Sequence, residues 1–515
     1  MGLLEEISSW DNARCVLDLS NEKDPEILRQ AAVILERENT RLVGKVVELT
    51  NELLALKGAS PEDLQLKIAQ LEAQLAVRNR LLFGKSSEKR PVEKAAPSEK
   101  KVQSGHGPRE QPALPVVEKL FSLDPADQIC PKCGKALREF KGQYEESEEI
   151  IVVERRFFLE KQRRAKYRCE CNACIETAPG PVKLFPGARY SVDFALEVAN
   201  AKYQDHQPLE RQARIMAREG LVIDSQTLWD QIERLARILG GLKEAIHAYV
   251  LEQAVIGADE TRWRLLDGNG RDAGEAKQWQ VWAVAAPDAV AYLIEDSRSA
   301  KAAKKALRDF HGVVMADGYG VYQSLASEPG SFILANCWAH VRRKLSEAEV
   351  SFPAQAKEAL DLIGDLYAVE RLCPTGPPGD ELRRRLRDER SREVVKRIQA
   401  WALTAKAHAL PQGGLAKAID YMLGMWVGLV RFLEDSRIPI DNNHTERGMR
   451  GVVVGRKNHY GSKSRRGTEV AALFYTIIES AKLAGVEPKA YLRLATYAAL
   501  RGEPVPLPHE VATKA

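Results

Sequence analysis

Between residues 254 and 337 the chain trades helical patterning for short apolar runs, and this stretch limits the available folds more than any other. Runs rich in β-branched and aromatic residues predict strands at Ala254–Asp259, Trp279–Val284, Val290–Ile294, Gly312–Asp317 and Phe332–Cys337. A helical pattern fills about 299–310 and a second helix separates the last two strands.

Three strands, a helix, a strand, a helix and a strand is the order of a ribonuclease-H-like fold, a mixed sheet covered by helices on both faces. In that order the first and fourth strands are neighbours. Each ends in an acid: Asp259 in AVIGADETRW and Asp317 in GVVMADGY. Neighbouring carboxylates suit Mg²⁺ (or Mn²⁺), a hard ion that prefers oxygen, and such ions serve phosphoryl transfer. Spacing alone leaves the ordinary alternative open, in which both are turn residues.

A third carboxylate is expected from a later helix. In PIDNNHTERGMR, Asn443, Glu446 and Arg450 stand at i, i+3 and i+7, hence on one helical face. One acid among cations fits a metal ligand flanked by phosphate contacts, although a surface salt-bridge network has the same spacing.

At 515 residues the chain calls for about three or four units rather than one core. With 44% hydrophobic and 29% charged residues it is globular in class. The net charge of +4 is small, so local Lys and Arg clusters must carry any case for nucleic acid. No signal-peptide pattern opens the chain and no run reaches the roughly 18 apolar residues of a membrane span, so cytoplasmic residence is expected.

Leu28, Leu35, Leu42, Leu49 and Leu56 recur every seven residues, with Ala32, Asn39, Val46 and Leu53 between them. This is leucine-zipper spacing, and the lone polar Asn39 suits a register-fixing position in a dimer. A stretch of Lys, Pro, Glu and Ser from 89 to about 116 reads as a flexible linker.

Of eight cysteines, Cys130, Cys133, Cys169, Cys171 and Cys174 crowd one region, which favours metal over disulfides where no signal peptide is read. Four thiolates suit tetrahedral Zn²⁺. We assign Cys130, Cys133, Cys171 and Cys174, which keep paired CxxC geometry, with Cys169 as a rival ligand. The alternating residues between the pairs read as two strands of a zinc ribbon.

From Leu209 to Leu235 the pattern is helix, turn at Gly220, helix, with Asp224 or Ser225 able to cap the second helix. If this pair reads DNA, Ser225, Gln226 and Thr227 open the recognition helix, but ordinary helical hairpins share the pattern. Arg342 and Arg343 begin a long helical stretch and could grip a phosphate. Arg456, Lys457, Asn458 and Lys463 form a basic loop suited to DNA backbone, and a solvated loop looks the same. Trp263 and Trp338 could stack on an unpaired base, though aromatic residues at strand ends more often belong to the core.

The pieces LLFGKSSEK (81–89), CPKCG, ADET (258–261), ADGYGVY (316–322), CWAHVRRKL (337–345), IDNNHTERGMRGVVVGRKN (440–458) and AKLAGVEPKAYL (481–492) are jointly specific. On them the chain resembles an insertion sequence family 66 transposase, a bacterial DDE transposase, over nearly its whole length. The resemblance implies a triad of Asp259, Asp317 and Glu446, Mg²⁺ dependence, and action on the ends of a mobile element. It also implies His340 near the active site, and Asn443, Arg447 and Arg450 around Glu446 as DNA contacts. Partners would be double-stranded DNA at element ends and target, a second copy through the coiled coil, and small accessory proteins of the same element. The setting would be bacterial and nucleoid-associated.

Two departures stand out: three cysteines where the second knuckle usually has two, and Thr445 where Ala is more usual. Neither touches the acids. A zinc-ribbon DNA-binding regulator, or a domesticated copy that binds without cutting, is the alternative, as is a metal-dependent nuclease without strand transfer.

The expected architecture is multidomain α/β plus α. An N-terminal segment (1–22) leads to a coiled-coil dimerisation region (23–88), the linker (89–116), the zinc ribbon (117–180) and a helical DNA-binding module (181–250). The ribonuclease-H-like catalytic core follows in two parts (251–340 and 436–480), split by a helical insertion (341–435) and followed by a helical tail (481–515).

Overall fold

The computed structural model describes residues 175–266, 277–349, 352–409 and 413–512 continuously, with shorter stretches before them, chiefly 128–138 and 155–168. Most of the heptad region and Cys169, Cys171 and Cys174 lie outside the described residues. In the heptad region, Glu36, Asn39 to Leu42, Gly44 and Glu48 are helical and exposed in the single chain. The chain divides into two compact units, one of residues 89–182 and 209–229, the other containing 183–208 and 230–515.

In the smaller unit, Cys130 and Cys133 flank a tight turn. The Cys130 amide donates to Lys135 O (2.8 Å), Gly134 N donates back to Cys130 O (2.9 Å), and Gly134 takes the left-handed φ of +69°. The amides of Lys132 and Cys133 and the Cys133 side chain hold the Cys130 thiol below its ordinary value. Further on, β1 (Lys166–Arg168) and β2 (Ile175–Thr177) pair antiparallel. A helix α2 (Leu209–Arg218) then meets the start of α3 (Ser225–Ile238) across a turn at Gly220, φ +89°. Asp224 caps α3, its Oδ1 accepting from Thr227 N at 2.6 Å.

The larger unit begins with α1 (Val192–Tyr203) and, after α3, continues through α4 (Gly240–Leu251) into a sheet of β3 (Val255–Leu265), β4 (Lys277–Ala285), β5 (Val290–Glu295), β6 (Val313–Ala316) and β7 (Ile333–Asn336). The order is β5-β4-β3-β6-β7. β3, β4 and β5 run as an antiparallel meander, whereas β6 and β7 add in parallel, as crossovers through α5 (Ala300–Leu307) and α6 (Gly320–Ala326) require. This mixed α/β architecture is compatible with a ribonuclease-H-like core. Among the described residues no helix is long and apolar enough to cross a membrane.

After β7 the chain makes α7 (Trp338–Ala348) and then α8 (Pro353–Arg371), α9 (Asp380–Leu386), α10 (Arg392–His408), α11 (Gly414–Gly424) and α12 (Trp426–Val430). Trp338 is fully buried and donates its indole N–H to Leu429 O at 2.8 Å, tying α7 to α12. Its burial is worth about 4–6 kcal/mol of gross transfer energy. Trp263 is equally buried and donates to Ser462 Oγ at 3.2 Å. Neither indole can reach a nucleic-acid base, so both belong to the core.

The chain returns to the sheet with α13 (Asn443–His459) and α14 (Arg465–Leu483), followed by α15 (Pro488–Arg501) and α16 (Pro508–Ala512). α14 completes edge strand β5. Thr476 Oγ1 accepts from Tyr292 N and Ser480 Oγ accepts from Val290 N, each at 3.0 Å, so buried backbone donors find hydroxyl partners.

Candidate active site

The strand register brings two acids together. The last β3–β6 pair is Gly257 opposite Met315, and Asp259 and Asp317 each lie two residues further along. Asp317 closes a tight turn: its Oδ1 accepts from Tyr319 N (2.9 Å), while its carbonyl accepts from Asn336 Nδ2 on neighbouring β7 (3.1 Å). Asp259 Oδ1 accepts from Glu260 N at 2.8 Å.

Glu446 arrives on the first turn of α13. Its helix is held to β3 by buried Asn442, whose Nδ2 donates to Ala258 O (2.8 Å), the carbonyl just before Asp259. Gly257 permits the approach, because any Cβ there would strike Thr445 and Asn442. Thr445 is therefore a buried packing residue against β3.

The electrostatics follow from this crowding. Burial above all, then the charge of Glu260, and further those of Glu446 and Asp317, push Asp259 up to about 7. Glu446 Oε1 is buried and accepts no hydrogen bond. His340 Nε2 stands 3.6 Å from it and Arg343 Nη2 3.8 Å from Oε2, near enough for charge attraction but too far to bond. A buried carboxylate oxygen with no donor is costly, and with His340 and Arg343 beyond bonding distance a bound cation would complete the group. The residues present fit a divalent ion held by oxygen.

Among the described residues, the one trio of ligating side chains whose atoms lie within 4.8 Å of one another is Cys337, His340 and Glu446, so the three acids stand farther apart than a shared ion would hold them. Burial raises the Cys337 thiol to about 12, and its sulfur accepts from Asn442 N at 3.2 Å, so it stands as a neutral core thiol rather than a ready thiolate.

Sequence reasoning did not use Glu260, which turns to the opposite face of β3. Arg298 Nε donates to its Oε1 at 2.9 Å with a second, shorter guanidinium contact, and Tyr322 OH donates to Oε2 at 2.9 Å. Glu260 is therefore fully engaged, and strand alternation was the signal that could have separated it from Asp259.

The remaining anticipated contacts scatter. Arg447 and Arg450 are exposed on α13, whereas Asn443 is tied to Asp441 Oδ2 at 2.6 Å. Arg342 is half-buried on α7, Asn458 is half-buried, and Lys457 and Lys463 are exposed. Arg456 bonds Thr261 Oγ1 (3.2 Å) and the Arg262 carbonyl. In the other unit, Ser225 Oγ donates to Glu210 Oε1 (2.6 Å) and Thr227 Oγ1 to Asp224 Oδ2 (3.1 Å), so both hydroxyls serve the turn; Gln226 is exposed.

Comparison with known proteins adds independent information. The family model described as "Transposase IS66 family" matches residues 187–470. The chain is 32% identical over 385 residues to "Uncharacterized protein y4jD" of Sinorhizobium fredii (strain NBRC 101917 / NGR234), covering 72% of this chain and 74% of that protein. It is 26% identical over 388 residues to "Uncharacterized protein y4hP" of the same strain, covering 70% and 69%. The family match spans both the acids and the helices that position them, and the chain belongs to the IS66 transposase family.

Proposed function

We propose that the chain is a DDE transposase whose ribonuclease-H-like core cuts and joins DNA through Asp259, Asp317 and Glu446. The observation that carries this is that acids from β3, β6 and α13 lie near enough for the charges of Glu446 and Asp317 to raise Asp259, while Glu446 Oε1 is buried without a hydrogen-bond partner. Divalent cations held there would activate a water or a 3′-hydroxyl and stabilise the leaving oxygen.

The chain's own residues do the rest. Asp259 and Asp317 follow from strand ends, and the Asn442 bond ties the start of the helix bearing Glu446 to β3, so a cation has only to draw together side chains on anchored backbone. His340 and Arg343, beside Glu446, are placed to draw a phosphate toward the acids. The family supports a transposase role. The zinc ribbon, the helical module and a zipper dimer belong to the same proposal, with element-end DNA as their target.

The test is cutting and joining of labelled element-end DNA in Mg²⁺, with any accessory proteins of the element supplied. Wild type should cut and join, and Glu446→Gln should bind equally but react at least a hundredfold more slowly, on the order of one lost electrostatic contact. Equal binding with no reaction from either protein would favour a DNA-binding regulator instead.

A further inference from the structure

β3 continues past Asp259 to Arg262 and Arg264, and the C-terminal end of α13 lies alongside it. Together with Trp263, Gln278 of β4, Arg456, Lys457 and Tyr460, these two arginines line a groove of ≈ 400 Å³. Among the described residues, four cations line it and no carboxylate does. Arg262, Arg264 and Lys457 are exposed, and among the described residues none has an ion pair. Burial, then the charges of Arg262 and Arg264, lower Arg456, the expected result of cations gathered without an anion.

The groove is built rather than accidental. Ser462 N donates to Arg264 O (3.0 Å), and Leu266 N to Ser462 O (2.7 Å), stitching the segment after α13 to the end of β3. Gly461, φ +100°, lies so close to Arg264 O that a Cβ would sit 2.1 Å from it. This stitching holds Tyr460 in the left-handed region, φ +59°, with its side chain 66% exposed beside Arg264. An exposed aromatic residue in that conformation is unusual, and here its ring borders the cations.

We infer that this groove binds the phosphodiester backbone of DNA, with Arg262, Arg264 and Lys457 on phosphates and Tyr460 packed on a sugar or base. The inference rests on the transposase reading; Arg262 begins about 10 Å along β3 from Asp259, and by strand alternation it and Arg264 lie on the Glu260 face, so DNA in the groove would cross the strand end on its way to the acids.

The test uses the full chain, a labelled duplex oligonucleotide of arbitrary sequence, and the matching single strand, with affinity measured across a KCl series. Arg262→Ala with Arg264→Ala should weaken binding about tenfold or more. It should also lower the salt slope by roughly two phosphate contacts, about 0.9 each for duplex or about 0.7 each for single strand, which identifies the form bound. Arg262→Lys with Arg264→Lys should keep the slope. Tyr460→Gly, which suits the left-handed backbone, should hold or raise thermal stability while weakening binding.

Wild-type affinity and slope in the folded Ala double variant would overturn the groove. The transposase reading fails separately: if Glu446→Gln loses cutting while the groove variants bind and cut normally, only the groove falls. If the slopes drop but wild type never cuts or joins, only the reading falls.

Discussion

Gly257 and Thr445 meet with no room for a side chain between them: a Cβ on Gly257 would lie 1.9 Å from Thr445 Oγ1 and 2.6 Å from Asn442 Oδ1. This close approach holds the first turn of α13, which carries Glu446, against β3, which carries Asp259. Gly257→Ala should therefore destabilise the protein by about 1–3 kcal/mol, the steric cost outweighing the backbone-entropy gain. Thr445→Ala in the same chain should restore only part, since Asn442 still obstructs. Urea unfolding of the four proteins in a double-mutant cycle measures the coupling, and additive effects would mean the contact is not made.

Asp259 supplies a pH test. Its folded value of about 7 exceeds the ordinary 3.8, so between these the folded state keeps a proton the unfolded chain has lost. Its stabilising contribution is complete below about 3.8 and is lost as pH rises through about 7. In chelator, the difference in melting temperature between wild type and Asp259→Asn should thus shift against wild type over that range. Millimolar Mg²⁺ should stabilise wild type increasingly as pH rises, because cation and proton compete for the carboxylate. A difference that is flat with pH would contradict the raised value.

The Glu260–Arg298 pair makes a third prediction. The Glu260 side chain is 2% exposed and that of Arg298 is 49%, so Arg298→Ala strands a buried carboxylate. The cost should be about 1–3 kcal/mol, and adding Glu260→Gln should recover much of it. Thermal unfolding of the single and double variants reads this directly, with no recovery as the opposing result.

Arg387 does comparable structural work in the helical stretch after β7. It is 1% exposed, chelates Glu370 at 2.7 and 2.9 Å, and donates to the carbonyls of Phe432 (2.5 Å) and Asp435 (3.0 Å). Arg387→Ala leaves Glu370 without its principal partner and should cost about 3–5 kcal/mol by chemical denaturation. A loss below ~1 kcal/mol would show that the clamp is dispensable.

The strand order was legible because period-two apolar runs and turn residues are local signals, and adjacency of Asp259 and Asp317 followed from topology. What could not be read was which distant side chains find each other. Glu260 and Asp259 look alike in ADET, and only alternation along β3 sends one to Arg298 and the other toward α13. Nothing in the sequence around Thr445 points to Gly257, far earlier in the chain, as the residue it packs on. Arg262 and Arg264 carry no signal of their own in the sequence, because their neighbours at the end of α13 are remote in it. Trp263 and Trp338 could have served stacking or packing, and only burial decides.

The central claim, that the acids ligate metal, is tested most directly by changing the ligand. Asp259→Cys and Asp317→Cys replace hard oxygen with a softer sulfur that Mg²⁺ rejects and Mn²⁺ accepts more readily. Strand cleavage by each folded variant should be lost in Mg²⁺ and partly regained in Mn²⁺. Activity retained in Mg²⁺, or no return in Mn²⁺ while wild type works in both, would contradict direct ligation by these two residues.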